Sequence, residues 1–413
     1  MGDMLGREVE LDVTGIAHGG ISVARLDGRV VFVSDTLPGE RVVARITEDR
    51  KKSFWRAETV AVTAPSEHRR PHVWSAAALE VDPAQRAGGA EFGHIELSHQ
   101  RELKRQVLRD ALTRTGGLDA ERCDVEVRAL PGDDERGGTG WRTRVRLHVD
   151  AEGRTGPYAA RSHTVVHVDD LPLATPELVE AAPLGDSFPG EPHVDVLAPS
   201  VGGARLIIGD QSRTTIYETV GEREFRLDDR GFWQVHREAA STLTTAVQQA
   251  IRPDLFDPKA ANLDLYGGVG LLAAAVGDAF GPGTRITSVE SDERATEHAS
   301  ENLADWLGAS AVTGRVERWI RQTAAQAGSL ERGRHSASTI VLDPPRSGAG
   351  REVVTEIAGL APAQIVYVAC DPVALARDIA LFRDHGYDVD ALTAFDLFPN
   401  THHVETVARL VRA

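Results

Sequence analysis

The segment Asp264-Leu265-Tyr266-Gly267-Gly268-Val269-Gly270 has the residue types needed to hold an adenosine-bearing cofactor. Its apolar start reads as a strand end, and its glycines let backbone at a helix N-terminus approach a ligand closely. Glu290 ends the next strand candidate, where a carboxylate can hold both hydroxyls of a ribose. S-adenosylmethionine suits this pattern. Gly268, Gly270 and Ala273, with an acidic residue 20 positions after Gly270, also fit the dinucleotide fingerprint. On this motif alone the two cofactors stand about equal, and a tight turn without ligand is a third reading. Tyr266 is either core or cofactor wall.

Four further segments carry reactive side chains. Asp343-Pro344-Pro345-Arg346 closes one strand candidate and Cys370-Asp371-Pro372 closes the next, so both belong on the ligand edge of a parallel sheet. Phe395-Asp396-Leu397-Phe398-Pro399-Asn400-Thr401-His402-His403-Val404-Glu405 lies near the C-terminus, and Gly231-Phe232-Trp233-Gln234-Val235-His236 precedes a helix. Each has a bland alternative. A lone cysteine ending an apolar strand is usually a small buried hydrophobe. Asp343 can satisfy strand-end amides, and Gln234 can be a helix-entry hydrogen bonder. His402 and His403 suggest a metal site, but no further ligand has suitable spacing and neighbours in a strand face opposite ways. They read as positioning residues for the loop carrying Glu405.

In this order around the glycine turn, these segments resemble the RNA uracil-C5 methyltransferase family that acts on tRNA and 23S rRNA. Its members share patterns close to FxQVN, DLYCGxG, DPPR, YVSCDP and DMFPHTHHVE. The resemblance implies S-adenosylmethionine as cofactor, RNA as partner and 5-methyluridine as product. It implies Cys370 as nucleophile and Glu405 as general base, with Gln234, Tyr266, Glu290 and Asp343 at cofactor-contacting positions. The chemistry accounts for the pair. C5 of uracil is a poor nucleophile until a thiolate adds to C6 and makes C5 carbanionic. A base must then remove the C5 proton so that the cysteine can leave. No metal is needed.

The chain departs from that pattern in places. Many relatives carry a four-cysteine iron–sulfur site with a C-G-G-C segment; here Ala87-Gly88-Gly89-Ala90 stands in its place. Only Cys123 and Cys370 occur, so no cluster is expected. Gly267 replaces a frequent Cys, a change expected to be harmless in a tight turn. Leu271 replaces a polar residue, which removes one expected cofactor contact. His236 replaces the usual Asn, with no consequence assigned.

These residues need a scaffold. ANLDLY, TRITSVE, STIVLDPP and QIVYVA are strand candidates alternating with helices, which predicts a Rossmann-like, doubly wound and mainly parallel α/β methyltransferase domain over 231–413, entered by a helix at about 237–251. Residues 7–62 alternate apolar and polar residues between turns at His18-Gly19-Gly20, Asp27-Gly28 and Pro38-Gly39. They predict an OB-like barrel of five strands, resembling the TRAM domain of RNA-modifying enzymes, within 1–63. Between them, 64–230 predicts a central β-rich, RNA-binding domain with a helix over about 100–114 and strands in TRVRLHVD, HTVVHVDD and ARLIIGD.

The net charge of −16 opposes phosphate binding at first sight. Residues 1–150 hold 23 Lys and Arg against 25 Asp and Glu, whereas 151–413 hold 23 against 37, so the acidity sits in the C-terminal part. Charge decides neither way on RNA. No apolar leader or long uncharged apolar run occurs, so a cytoplasmic protein without membrane contact is expected, and a monomer by default. Two other functions stay open on the residues: an NAD(P)-dependent Rossmann oxidoreductase, and a catalytically silent RNA-binding homologue.

Overall fold

A computed structural model describes residues 4–413. The chain begins with β1 (Glu8–Ala17), β2 (Ile21–Leu26), β3 (Arg29–Ser34), β4 (Arg41–Glu48) and β5 (Phe54–Ala64), closed into a barrel in the order β1-β2-β3-β5-β4. Alternate residues point inward, so Leu11, Val13, Val31, Val33, Val42, Ala44 and Ile46 fill the barrel. The three expected turns are present, with positive φ at Gly19, Gly20, Asp27, Gly28 and Gly39.

A loop leads to α1 (Leu97–Arg114), whose buried Gln100, Leu103, Lys104, Leu108, Ala111 and Leu112 recur at helical spacing. The helix starts three residues earlier than its sequence pattern suggests. Next come β6 (Val127–Arg128), β7 (Arg144–Val149), β8 (Thr155–Gly156), α2 (Pro176–Ala181), β9 (His193–Leu197) and β10 (Arg205–Ile208). A small antiparallel sheet has the order β10-β9-β7-β8. The strand expected in HTVVHVDD is not formed. Tyr158 and Val165 make only an isolated bridge. Val166 N–H bonds to the Pro157 carbonyl, and Pro157 has no N–H to continue a ladder. β11 (Thr215–Val220) and β12 (Arg223–Asp228) form a hairpin.

The remaining elements are α3 (Ala239–Ala250), β13 (Asn262–Leu265), α4 (Leu271–Phe280), β14 (Arg285–Glu290), α5 (Glu293–Asn302), β15 (Gly308–Thr313), α6 (Val316–Gln326), α7 (Ser329–Ser336), β16 (Thr339–Leu342), α8 (Gly350–Leu360), β17 (Gln364–Ala369), α9 (Pro372–Asp384), β18 (Tyr387–Phe395) and β19 (Glu405–Arg412). The large sheet runs β15-β14-β13-β16-β17-β19-β18-β6. Its first five strands are parallel, and β19 lies antiparallel between β17 and β18. Both faces are covered, as the unbroken apolar runs of β16 and β17 require. Ile340, Leu342, Ile365 and Tyr367 join one core with α8, α9 and α1, whereas Val341, Val366 and Val368 join the other with α3 and α4.

Several connections tie the N-terminal half to this sheet. β6 pairs with β18, through Val127 opposite Ala394. Lys104, 0% exposed, reaches from α1 to an ion pair with Asp396 and donates to the Phe398 carbonyl at 3.1 Å. The loop containing Ala87-Gly88-Gly89-Ala90 is held by a guanidinium and by apolar packing. The buried Arg86 guanidinium pairs with Asp35 of the barrel at 2.9 Å and donates to the carbonyls of Thr59, Leu79 and Val81. Ala87 and Ala90 are buried in an apolar cluster with Trp74 and Trp141.

Removing one partner of a fully buried ion pair strands the other charge. Lys104→Met should therefore destabilise the protein by about 3–5 kcal/mol in denaturant unfolding, and Lys104→Met/Asp396→Leu should recover most of that loss.

Candidate active site

The glycine turn follows β13 directly. Asp264, fully buried at the strand end, accepts hydrogen bonds from Ser288 Oγ (3.1 Å) and the Ala273 N–H (3.2 Å), binding β13 to β14 and to α4. These contacts fill the space beside residue 267. A Cβ on Gly267 would lie 2.0 Å from Ser288 Oγ and 2.6 Å from Asp264 Oδ2, so a larger residue there would force those two side chains to shift. Gly268 has nothing within 4 Å of where a Cβ would stand. Its N–H donates to Glu290 Oε2 at 3.2 Å, while Glu290 Oε1 accepts from the N–H groups of Ser291 and Asp292.

A second constraint comes from the antiparallel strand. β17 pairs with β19 in a register that sets Ala369 opposite Thr406. One position further out, that register sets Cys370, at the end of β17, opposite Glu405, at the start of β19. Directly opposed residues have Cβ atoms roughly 5 Å apart. An end of one strand and a start of another can meet only because β19 runs backward. Asp371 then starts α9, its side chain accepting from the N–H groups of Val373 and Ala374. The barrel reaches this point as well: His18 bonds to Asp371 at 2.7 Å.

One cavity of about 750 Å³ joins these positions. Gln234, Tyr266, Gly268, Glu290, Asp343, Cys370 and Glu405 all line it. Gly270 does not; it is buried with φ +87° against Leu303, and its part is to turn the chain into α4. Tyr266, at φ +64°, is half-buried and serves both expectations, packing on the core and facing the cavity. Leu271 is buried in the core beneath α4, so a side chain there points away from the cavity.

The cavity floor is electrically negative, and burial makes its acids weak. Burial and the Asp343 carboxylate push the Glu405 carboxyl well above its ordinary range. Burial and the Asp264 charge raise Asp343 to about 7. Burial, then Glu405 and Asp343, push the Cys370 thiol up to about 12, with Arg346 acting in the opposite direction. In the ligand-free protein at neutral pH the thiol keeps its proton, and Asp343 and Glu405 share at least one.

Several lining residues did not stand out in the sequence as site residues. Arg142, Phe232, Phe398 and His403 line the cavity, as does Arg346. Phe232, Arg346, Phe398 and His403 lay within the quoted motifs with no cavity role assigned, whereas Arg142 lay outside them, among alternating Arg142, Arg144 and Arg146 that read as solvated surface. His402 and His403 are not neighbours within a strand. They sit in the loop before β19, which opens with Glu405 itself. Asn400, at φ +65°, bends that loop so that both rings fall on one side, 4.0 Å apart. Asn400 is wholly buried, accepting from Arg70 and Gln100 and donating to the Gly138 carbonyl. His236 also gains a role: its Nδ1 accepts from the Glu238 N–H, so Nε2 carries the proton and donates to buried Asp133.

Residues 2–56 match the model of the TRAM domain, and residues 321–413 that of the tRNA (Uracil-5-)-methyltransferase family. An uncharacterised RNA methyltransferase of Streptomyces coelicolor is 38% identical across 98% of this chain and 93% of its own length. The chain belongs to the S-adenosylmethionine-dependent RNA uracil-C5 methyltransferase family. An uncharacterised RNA methyltransferase of Bifidobacterium longum is 34% identical to this methyltransferase over 98% of the chain and 97% of the relative. The fold is shared with a Pyrococcus abyssi tRNA (uracil-54, C5)-methyltransferase crystallised with S-adenosyl-L-homocysteine. That match has a TM-score of 0.68 at 20% identity, covering 98% of this chain and 100% of the other. The oxidoreductase alternative falls with this assignment. Among the described residues no helix is long and apolar enough to cross a membrane.

The buried acids of this methyltransferase have a thermodynamic consequence. Burial lifts Asp264 from its ordinary 3.8 to about 7, so between those values the folded state holds a proton that the unfolded state has released. Stability from this source is complete below pH 4 and declines as pH rises to about 7. Denaturant midpoints of the ligand-free protein should fall over that window, and Asp264→Asn should flatten the slope.

Proposed function

We propose that the chain methylates C5 of a uridine in tRNA or 23S rRNA, through a covalent bond between Cys370 and C6, with Glu405 as general base. One observation carries the reading: a thiol and a buried carboxyl share a cavity with the glycine turn, at the strand ends where such folds hold their ligands.

The lining fits S-adenosylmethionine, which supplies an electrophilic methyl group on a cationic sulfonium. Gly268 leaves open space, Glu290 can take ribose hydroxyls, and Asp343 and Gln234 offer polar contacts. A pyrophosphate fits less well, because the Gly268 N–H it would use already donates to Glu290. Carboxylates around the turn favour a cation over a phosphate.

Cys370, as thiolate, would add to C6 and push an electron pair into the C4 enolate, so that C5 would take the methyl group as its bond to the sulfonium sulfur breaks and S-adenosyl-L-homocysteine leaves. Glu405 would then accept the proton from C5. The S–C6 bond breaks, the C5=C6 double bond is restored and the thiolate returns. Arg346 favours the thiolate, and a positive charge bound beside Asp343 would lower the pKa of both acids and of the thiol. Exclusion of water by the RNA strengthens each of these interactions.

RNA carrying 5-fluorouridine at the target should form a denaturation-resistant complex with the wild-type protein, because fluorine cannot leave as a proton. Cys370→Ala should form none and should lower methyl transfer by at least about 10³-fold. Full transfer by Cys370→Ala would end the proposal. In a thermal-shift measurement S-adenosyl-L-homocysteine at about 100 times its Kd should stabilise the protein by about 2.7 kcal/mol, and NAD should not. RNA and cofactor binding without turnover, on the uridine mapped as 5-methyluridine-dependent on this gene, would favour the silent homologue instead.

A further inference from the structure

Glu91 lies outside the active-site cavity, in the loop whose neighbouring alanines replace thiolate ligands. Its carboxylate accepts the His402 backbone N–H at 3.0 Å and pairs with His402 Nδ1. Burial alone would weaken this acid, but its bonds to His402 outweigh burial and hold it at about 2, so it is an anion. On its other side His402 is backed by the barrel, where a Cβ on Gly20 would lie 2.4 Å from His402 Cβ. The His402 ring packs 4.0 Å from that of His403. Burial, then His402 and Arg346, push His403 down to about 3, which leaves its ring neutral. His403 Nε2 therefore accepts from Arg346, at 3.4 Å.

Arg346 and Cys370 line the same cavity, as does Arg142, and the Arg346 guanidinium acts on the thiol in favour of the thiolate. The other charged groups acting on that thiol are Glu405 from β19, Asp343 from the end of β16 and Asp371 from the start of α9, all acidic. His18 of the barrel bonds to Asp371 rather than to the thiol. Burial, Glu405 and Asp343 hold the proton on the sulfur, and the Arg346 guanidinium opposes them.

We infer that Glu91 is a positioning residue: through His402 and His403 it fixes Arg346 beside Cys370 and so controls the reactivity of that thiol. Its meaning for catalysis rests on the proposed role of Cys370. The sign of the effect separates it from a direct field. Deleting a nearby negative charge should by itself make the thiol more reactive, whereas losing the grip on Arg346 should make it less so.

The test is alkylation of the full-length, ligand-free protein by iodoacetamide between about pH 7 and 9.5, read at each cysteine by peptide mass spectrometry. Cys123, buried in the core, is the internal reporter of folding. Glu91→Gln should slow alkylation of Cys370 about three- to tenfold, a shift of roughly half to one pK unit, with Cys123 still protected. Arg346→Gln should slow it as well, and the double variant should be no slower than Arg346→Gln alone. An unchanged or faster rate in Glu91→Gln, or multiplicative slowing in the double variant, overturns the inference. If Glu91→Gln exposes Cys123, His402→Gln takes its place, with the same criteria. A wild-type rate in these variants would leave the covalent reading intact, while methyl transfer by Cys370→Ala would remove that reading without altering the alkylation result.

Discussion

Everything in the site depends on β19 lying antiparallel between β17 and β18. In an all-parallel sheet the ligand edge collects only the C-terminal ends of strands, so residues that start a strand lie on the far side. The reversed strand brings Glu405 to the same edge as Cys370, in the next position of a ladder already fixed by six residue pairs from Gln364–Val411 to Ala369–Thr406. A slip of one residue would turn every buried side chain of β19 to the wrong face, so the core that specifies the register also specifies the thiol–carboxyl pair.

The electrostatics follow from that placement. Three acids, Asp343, Glu405 and the Cys370 thiol, share one cavity; burial raises the proton affinity of each, Asp343 adds to that of Glu405, and both carboxyls add to that of the thiol, against Arg346. The ligand-free site is therefore chemically quiet. A thiol that keeps its proton until a cationic cofactor and an RNA base arrive is protected from stray electrophiles, at the cost of needing binding to switch it on. The barrel, α1 and the loop around residues 86–95 close over the loop 396–404 through Asp396, Asn400 and His402. Elements remote in sequence thus share responsibility for one short loop.

Much of this was legible in the residues. The glycine turn, the apolar runs of β13, β14, β16 and β17, and the period of α1 follow from side-chain pattern, because these elements bury their own faces. The five-stranded barrel was visible from its alternation and turn glycines. What the pattern missed depended on partners. Val165, Val166 and Val168 look like a strand but lie where Pro157 denies them a ladder. The tight space beside Gly267 reflects the Asp264–Ser288 bond, which joins two strands. The bend that brings the His402 and His403 rings together lies at Asn400, whose partners Arg70, Gln100 and Gly138 are distant in sequence. Asp133 and His236, too, are 103 residues apart and meet only after folding. The roles of Cys370 and Glu405 came from family resemblance, since a lone cysteine ending an apolar strand reads first as a small buried hydrophobe.

The central claim is that Cys370 bonds to the pyrimidine and Glu405 releases it. The direct measurement is to mix Glu405→Gln protein with unmodified substrate RNA and S-adenosylmethionine, then digest with nuclease and protease and weigh the Cys370 peptide. The account requires that peptide to carry a methylated uridine nucleotide, with product release slowed about 10²- to 10⁴-fold. An unmodified Cys370 peptide alongside wild-type turnover by Glu405→Gln would contradict it.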